Sequence, residues 1–374
     1  MVSRYVAACA TVAGMLSVAA GAVSVNTKTG TFNGSTWTAE SRVIGQTSTA
    51  TIVGGGDPIY LAAMPKYSGV VALIMNYGTA GSFICSGSLL SDRQSVLTAG
   101  HCASDGKGNS PISTTAYFYG GPNPDTVVFT SKDSTAVQVA NLFVNPKYTG
   151  EVIDQNDTAV YRLTTKAPDF ATSYDLFTGT DLTGLGYNIA GYGGRSDTGG
   201  SVGVNLGVGR LRQGDNRYDF ALGDPDFAGF FNGFFGKADV TYSFVSDFDN
   251  GLAANDASCV LASSFGLSGS KYCNLGVGAR EVSSAGGDSG GPQFIDGKIA
   301  SVTSYGLSFG MQFGDIDAKL NSSFGEFNGF APVFANLDFI NSVVPEPATW
   351  AMMIVGFGMV GAVARRRRPG FAAA

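Results

Sequence analysis

Histidine is almost absent from this chain. Among its 374 residues, His101 is the single histidine, and no two cysteines have CxxC spacing. Zinc sites are usually built from several cysteine and histidine ligands. We therefore predict no metal site, and nothing in the sequence indicates a cofactor. Any reaction that needs a histidine base must use His101.

Charged residues are also scarce. They make up 14% of the chain, and the formal net charge is −6 although four arginines stand together at 365–368. Proteins that bind nucleic acid carry a basic patch. We therefore expect no nucleic acid among the partners.

Long stretches with the 3.6-residue period of an amphipathic helix are missing before the C-terminal segment. Short aromatic and β-branched runs instead alternate with many of the 53 glycines. This pattern predicts an all-β fold, and the length allows one or two domains with a sizeable core.

Cysteines number only five. Cys9 falls within residues 1–22, which we interpret as a signal peptide, with Arg4 at its start and Ala20-Gly21-Ala22 before the cut. Signal peptidase is therefore an expected partner, and a short membrane anchor is the alternative. Removal of the signal peptide leaves four cysteines, an even number that fits an oxidising compartment.

A glycine-rich turn, Gly286-Gly287-Asp288-Ser289-Gly290-Gly291-Pro292, is the most informative stretch. Glycines allow the positive φ and the close approach that expose a hydroxyl and backbone amides. Such a turn can present Ser289 as a nucleophile, although Gly, Asp and Ser also form ordinary surface loops.

His101 and a carboxylate supply the other parts of a possible triad. His101 follows the apolar run 95–97, and Asp157 precedes the strand-like run 158–163, with Asp154 as a rival. In the order His, Asp, Ser, and with the start motif Ile52-Val53-Gly54-Gly55, the chain resembles the chymotrypsin/trypsin family of serine proteases. The resemblance covers residues 52–343.

The resemblance implies two six-stranded antiparallel β-barrels with the active site between them and a boundary near 165–185. It implies a secreted serine endopeptidase that hydrolyses protein or peptide substrates through an acyl-enzyme. Residues 23–51 would then be a propeptide, or a linker, before a protease domain at 52–343. A catalytically silent binding protein and an extracellular-matrix component are the alternatives.

Further roles follow from the same resemblance. The amides of Gly287 and Ser289 would form the oxyanion hole. Cutting before Ile52 would free an amine to pair with Asp288, although Thr51 does not suit a trypsin-like activator. Val43-Ile44-Gly45, after Arg42, fits the start motif less well.

The resemblance also implies two disulfides, Cys85–Cys102 and Cys259–Cys273. Ser283 would form the floor of the specificity pocket, and Ser304, Tyr305 and Gly306 its wall. A neutral floor favours an apolar or aromatic substrate side chain over a basic one.

Several strands are predicted in the first half, at 69–75, 82–90, 94–99, 127–130 and 136–144, and the second half opens near 184–194. Between 195 and 257 the family pattern is lost. There the run 227–235 holds five phenylalanines, which indicate packing, and 247–251 alternates acids. An acidic turn is favoured over a calcium loop at 247–251 because further ligands are missing.

The C-terminal segment, 344–374, has a composition of its own. Pro345-Glu346-Pro347 precedes an apolar run at 351–364 and then the arginines. The order of motif, hydrophobic helix and basic tail resembles the PEP-CTERM sorting signal of Gram-negative bacteria, which an exosortase-like enzyme processes. We expect transient membrane association, followed by release to the periplasm, outer surface or medium; a permanent tail anchor is the alternative.

Overall fold

The computed structural model describes residues 28–40, 43–45, 57–104 and 109–344. The structure there is mostly β, with two helices, α1 (Ala257–Ser263) and α2 (Val333–Val343). The strands are β1 Lys28–Phe32, β2 Ser35–Glu40, β3 Val43–Gly45, β4 Val70–Asn76, β5 Ser82–Leu89, β6 Ser95–Thr98, β7 Ser113–Tyr119, β8 Ser134–Val144, β9 Ala159–Leu163, β10 Gly186–Gly191, β11 Arg212–Arg217, β12 Phe220–Ala221, β13 Phe244–Asp247, β14 Val282–Ser284, β15 Pro292–Ile295, β16 Lys298–Ser308 and β17 Phe327–Pro332.

The first half is a closed barrel of six strands in the order β4-β5-β6-β9-β8-β7. Strand β4 packs on both of its faces, because successive side chains of a strand point to opposite sides. Val71 and Leu73 pack into the barrel interior, whereas Val70 and Ala72 pack toward the second half of the molecule.

The second half is an open sheet, so the expectation of a second closed barrel is wrong. Its strand order is β11-β10-β15-β16-β17-β13-β12, and β2 is added on β16 with β1 beyond it. Closure is limited because the short strand β14 pairs with β3, and only an isolated bridge, Asp215↔Glu281, links β11 to this region. The polar side chains of β11 form ion pairs instead, such as Arg212 with Asp125 at 2.6 Å.

Two local predictions also need correction. The run 127–130 is a turn and not a strand; Val128 donates one backbone hydrogen bond to Gly209, 2.8 Å long. The barrel strand in this part of the chain is β7, which the prediction missed.

Within the described residues, no helix is long and apolar enough to cross a membrane. The predicted C-terminal hydrophobic helix lies outside them.

Candidate active site

The strand pairing of the barrel brings His101 and Asp157 together. Strands β6 and β9 are antiparallel, with Thr98 opposite Ala159. The residues just after β6 therefore lie beside those just before β9. His101 stands on the turn that follows β6, and Asp157 lies two residues before β9.

The Asp157 carboxylate is buried and binds His101 through both oxygens. Oδ2 lies 2.7 Å from His101 Nδ1, and Oδ1 accepts the His101 backbone N–H at 2.8 Å. A third donor, the Ser304 hydroxyl, lies 2.6 Å from Oδ2. The rival carboxylate Asp154 accepts hydrogen bonds from Thr149 and Asn156 instead and organises its own loop.

The turn that carries His101 is packed too closely for a larger residue than glycine at position 100. A Cβ on Gly100 would lie 2.9 Å from the Tyr148 ring and 3.1 Å from Asp157 Oδ1. The disulfide Cys85–Cys102 joins this turn to β5. The position of the imidazole is thus fixed from both sides.

The Ser289 turn belongs to the second half but is hydrogen-bonded to the first. The Ser289 carbonyl accepts the Ser86 N–H at 2.8 Å, and the Gly287 carbonyl accepts the Ser86 hydroxyl at 2.8 Å. Thr98 in turn donates to the Ser86 carbonyl at 2.8 Å. The Ser289 turn therefore lies against the end of β6. That end of β6 is three residues from His101.

Glycine is required at two positions of this turn. Gly287 and Gly290 have φ values of +107° and +78°, which disfavour residues with a Cβ. A Cβ on Gly290 would also lie 2.6 Å from the Ala99 nitrogen. In the described part of the chain, no backbone carbonyl accepts the amide N–H of Gly287 or of Ser289.

Asp288 is a buried carboxyl with backbone partners. Its Oδ1 accepts the Gly193 N–H at 2.8 Å, and its Oδ2 accepts the Ala285 N–H at 3.4 Å. Burial raises the pKa of Asp288 well above its usual range, and the Gly193 amide opposes this only in part. The expected amine donor, Ile52, lies outside the described residues.

Comparison with protein families finds a match over part of the chain. The trypsin family model matches residues 59–216. Residues 59–216 form a trypsin-family domain. The match includes His101 and Asp157 and ends before Ser289. A trypsin-family domain indicates a hydrolase of the serine-protease type, whose substrates are peptides.

A second family model, the PEP-CTERM protein-sorting motif, matches residues 343–368. This motif indicates export through the sorting system of Gram-negative bacteria and processing by an exosortase. Pro345, Glu346 and Pro347 themselves lie outside the described residues. Among curated proteins, no sequence matches the chain.

The expected pocket residues lie on β14 and β16. Ser283 is buried, and its hydroxyl donates to Asn328 Oδ1 at 3.0 Å. Tyr305 is also buried, with its hydroxyl 2.8 Å from that of Ser243, so its ring belongs to the core. Gly306 pairs with Asn328 on β17 and, on its other side, with Glu40 on β2.

Some residues that organise this site were not found from the sequence. Ser86 is an ordinary serine within a strand, and no sequence pattern singles it out. Asn328 is similar, since only the fold places it beside Ser283. Ser304 was predicted only as part of the pocket wall. The structure shows in addition that its hydroxyl contacts Asp157.

Both expected disulfides are present, Cys85–Cys102 and Cys259–Cys273. The second one joins α1 to the loop that contains Cys273.

Five buried acids interact electrostatically with one another near α1: Asp219, Asp247, Asp249, Asp256 and Glu281. The nearest oxygens of Asp247, Asp249 and Asp256 lie within 4.8 Å of one another. Burial raises the pKa of Asp256 to about 6, of Glu281 to about 8 and of Asp249 to about 9. Two of these acids belong to the acidic alternation at 247–251.

Proposed function

We propose that this protein is an exported serine endopeptidase in which Ser289, His101 and Asp157 act together. The observation that carries the proposal is the contact of Asp157 with His101 Nδ1, 2.7 Å long, beside a turn that presents Ser289. The hydrogen bonds from Ser86 to the Ser289 turn support it, because they join the nucleophile's loop to the half that holds the base.

In this mechanism Ser289 Oγ attacks the peptide carbonyl while His101 Nε2 accepts its proton. Asp157 stays ionised, keeps the proton on Nδ1 and stabilises the imidazolium. The carbonyl oxygen becomes an oxyanion that accepts hydrogen bonds from the amides of Gly287 and Ser289. His101 then protonates the leaving amine, and water releases the acyl group by the same steps in reverse.

Activation would follow a cut before Ile52. The freed α-amine would then pair with Asp288, whose buried carboxyl otherwise has only backbone donors. The raised pKa of Asp288 supports this proposal, because a buried carboxylate needs a cation to stay charged.

The substrate side chain before the scissile bond would be apolar or aromatic. The floor residue Ser283 is bonded to the neutral amide Asn328. A lysine or arginine side chain would find no carboxylate there with which to pair.

The destination would be the periplasm, the outer surface or the medium, after removal of residues 1–22 and processing near Pro345-Glu346-Pro347. Contact with the membrane would be transient and limited to the C-terminal segment.

The proposal is tested with a fluorophosphonate probe and with peptide substrates. Mass spectrometry should place the probe on Ser289, and Ser289→Ala and His101→Ala should each lower kcat by roughly 10⁴- to 10⁶-fold. Peptides with Phe, Tyr, Leu or Met before the bond should be cleaved faster than those with Lys or Arg.

The matched control is Ser342→Ala, which removes an exposed hydroxyl on α2 and should leave turnover unchanged. Processed protein that neither reacts with the probe nor cleaves peptides would show that the domain is a catalytically silent binding protein.

A further inference from the structure

The N-terminal hairpin of β1 and β2 is added to the catalytic half of the molecule. Strand β2 pairs antiparallel with β16, with Thr38 opposite Ser308 and Glu40 opposite Gly306. Strand β17 pairs with β16 at positions 301–307, including Gly306 and Leu307. Since a strand has two edges, β2 occupies the edge of β16 opposite β17.

The same edge of β16 leads to the Ser289 turn. It pairs first with β15, over residues 298–302. Next, Thr303 exchanges backbone hydrogen bonds with the Ser289 turn, to Gly290 N–H at 2.8 Å and Gly291 carbonyl at 2.9 Å. Ser304, which binds Asp157, follows, and the pairing of β16 with β2 begins at Gly306. We call residues 303–308 on this side the β16 edge.

An extended peptide with its carbonyl at Ser289 must pass along the β16 edge. Peptides commonly bind proteins by adding a strand to such an exposed edge. The edge beyond Ser304 is the part that β2 covers. After β2, only two residues separate Glu40 from Val43, and β3 pairs with β14 so that Ile44 is opposite Ser283. The N-terminal segment therefore pairs with both elements that carry the expected pocket residues.

The phenylalanine-rich insertion holds this hairpin in place. The Phe32 ring lies 5.2 Å from Phe230 and 5.2 Å from Phe313, and the Trp37 ring lies 5.0 Å from Phe235. Both hairpin rings are buried. At the start of the hairpin, Lys28 Nζ forms an ion pair with Glu151, 2.8 Å long, and donates to the Phe235 carbonyl at 2.6 Å.

We propose that residues 28–40 are a built-in inhibitor that occupies the substrate's main-chain position on the β16 edge. The proposal rests on the proposed function. It also gives the insertion at 227–235 a role, as the apolar anchor of the inhibitor. A tethered strand acts at an effective concentration of about millimolar, so it occupies the edge when its own dissociation constant for that edge is below about millimolar.

The test measures binding of a fluorescent peptide, with Phe before the scissile bond, to the full chain carrying Ser289→Ala. Deleting residues 28–40 should strengthen binding by roughly 10²-fold, because the tethered competitor is lost. Adding Thr38→Cys and Ser308→Cys should lock β2 on β16 under oxidising conditions and abolish binding. Reduction should restore the level of the unlocked chain.

The control for the lock is Thr31→Cys with Thr36→Cys, a facing pair inside the hairpin, which should bind peptide equally in both redox states. Equal binding with and without residues 28–40, undiminished binding by the locked chain, or no binding to any form would each overturn the proposal. The chain with Thr38→Cys and Ser308→Cys tests the proposal even if the chain without residues 28–40 does not fold.

Hydrolysis by the deleted chain that retains Ser289 is measured separately. If peptide binding responds as expected and no bond is cleaved, the proposed catalysis is wrong, whereas the assignment of the hairpin to the β16 edge stands.

Discussion

At the scale of single residues, Ser304 joins the two halves of the candidate site. Its hydroxyl donates to Asp157 Oδ2 at 2.6 Å, from a strand of the open sheet to a loop of the barrel. A hydrogen bond to a charged group contributes about 1.5–3 kcal/mol. Under the proposed function, Ser304 is therefore a positioning residue that acts on His101 through Asp157.

We expect Ser304→Ala to lower kcat by about tenfold, which corresponds to about 1.4 kcal/mol. KM should change little, because the lost contact orients Asp157 and does not touch the substrate. Ser304→Thr keeps a hydroxyl and should restore most of the rate. The matched control is Ser301→Ala, a buried serine of the same strand that bonds Gln293; an equal loss of kcat there would contradict the assignment.

Asp288 offers a prediction that separates the uncut from the cut chain. In the uncut chain burial raises its pKa, so Asp288→Asn should change the free energy of unfolding by less than about 1 kcal/mol. Under the proposed activation, the same change in the processed enzyme would leave the amine of Ile52 without its carboxylate partner, at a cost of about 3–5 kcal/mol. Urea unfolding of both forms measures the difference. Equal losses in the two forms would show that Asp288 has no amine partner.

At the scale of elements, sequence patterns found most barrel strands and missed one. Strands β4, β5 and β6 were predicted within about one residue, because their apolar runs are bounded by turn residues. The run 127–130 has the β-branched and aromatic composition of a strand, yet it packs as a turn, with the Phe129 ring 5.4 Å from Tyr117. Its conformation depends on tertiary contacts that no local pattern contains.

The second half shows the same limit. The Ser289 turn could be predicted from the sequence because glycine is needed where φ is positive. Gly287 and Gly290 have φ values of +107° and +78°. The opening of the sheet could not be predicted, because it depends on β3 pairing with β14, more than two hundred residues away. Register between distant strands has no local signal.

The buried acids near α1 predict how stability depends on pH. In the folded chain Asp256, Glu281 and Asp249 have pKa values of about 6, 8 and 9, against about 4 in the unfolded chain. The folded state therefore holds more protons above pH 4, and stability falls as the pH rises from about 4 to 9. Each acid contributes up to about 1.4 kcal/mol per pH unit in its own window.

Thermal unfolding of Ser289→Ala, which prevents self-digestion, checks this dependence. Tm should fall steadily from pH 5 to pH 9, and Asp249→Asn should flatten the slope. Asp338→Asn, on the exposed side of α2, should leave it unchanged. A Tm that is constant or rises over this range would contradict the prediction.

At the scale of the whole molecule, helix α2 ends where the match to the sorting motif begins. The motif match starts at residue 343, the last residue of α2. From the sequence we expect the prolines of the motif to disfavour helix and so to give a processing enzyme access to the backbone. The arginines at 365–368 cannot easily cross an apolar layer.

Mass spectrometry of the exported protein should therefore find no peptide from residues 351–374. Replacing Pro345 and Pro347 by alanine should retain these residues and leave the protein in the membrane fraction. As a control, Pro332→Ala at the start of α2 should not affect processing. An intact arginine tail on exported wild-type protein would show that the segment is a permanent anchor.

The bonds from Ser86 to the Ser289 turn have a consequence for the cell that makes this protein. Under the proposed function, the base and its carboxylate come from the barrel and the nucleophile comes from the open sheet, and Ser86 hydrogen-bonds the two halves together. A chain that is still crossing a membrane, or that has folded only its N-terminal half, would therefore lack an assembled active site. Under the proposed function, completing both halves is itself a safeguard: the chain cannot digest its export machinery before folding is finished.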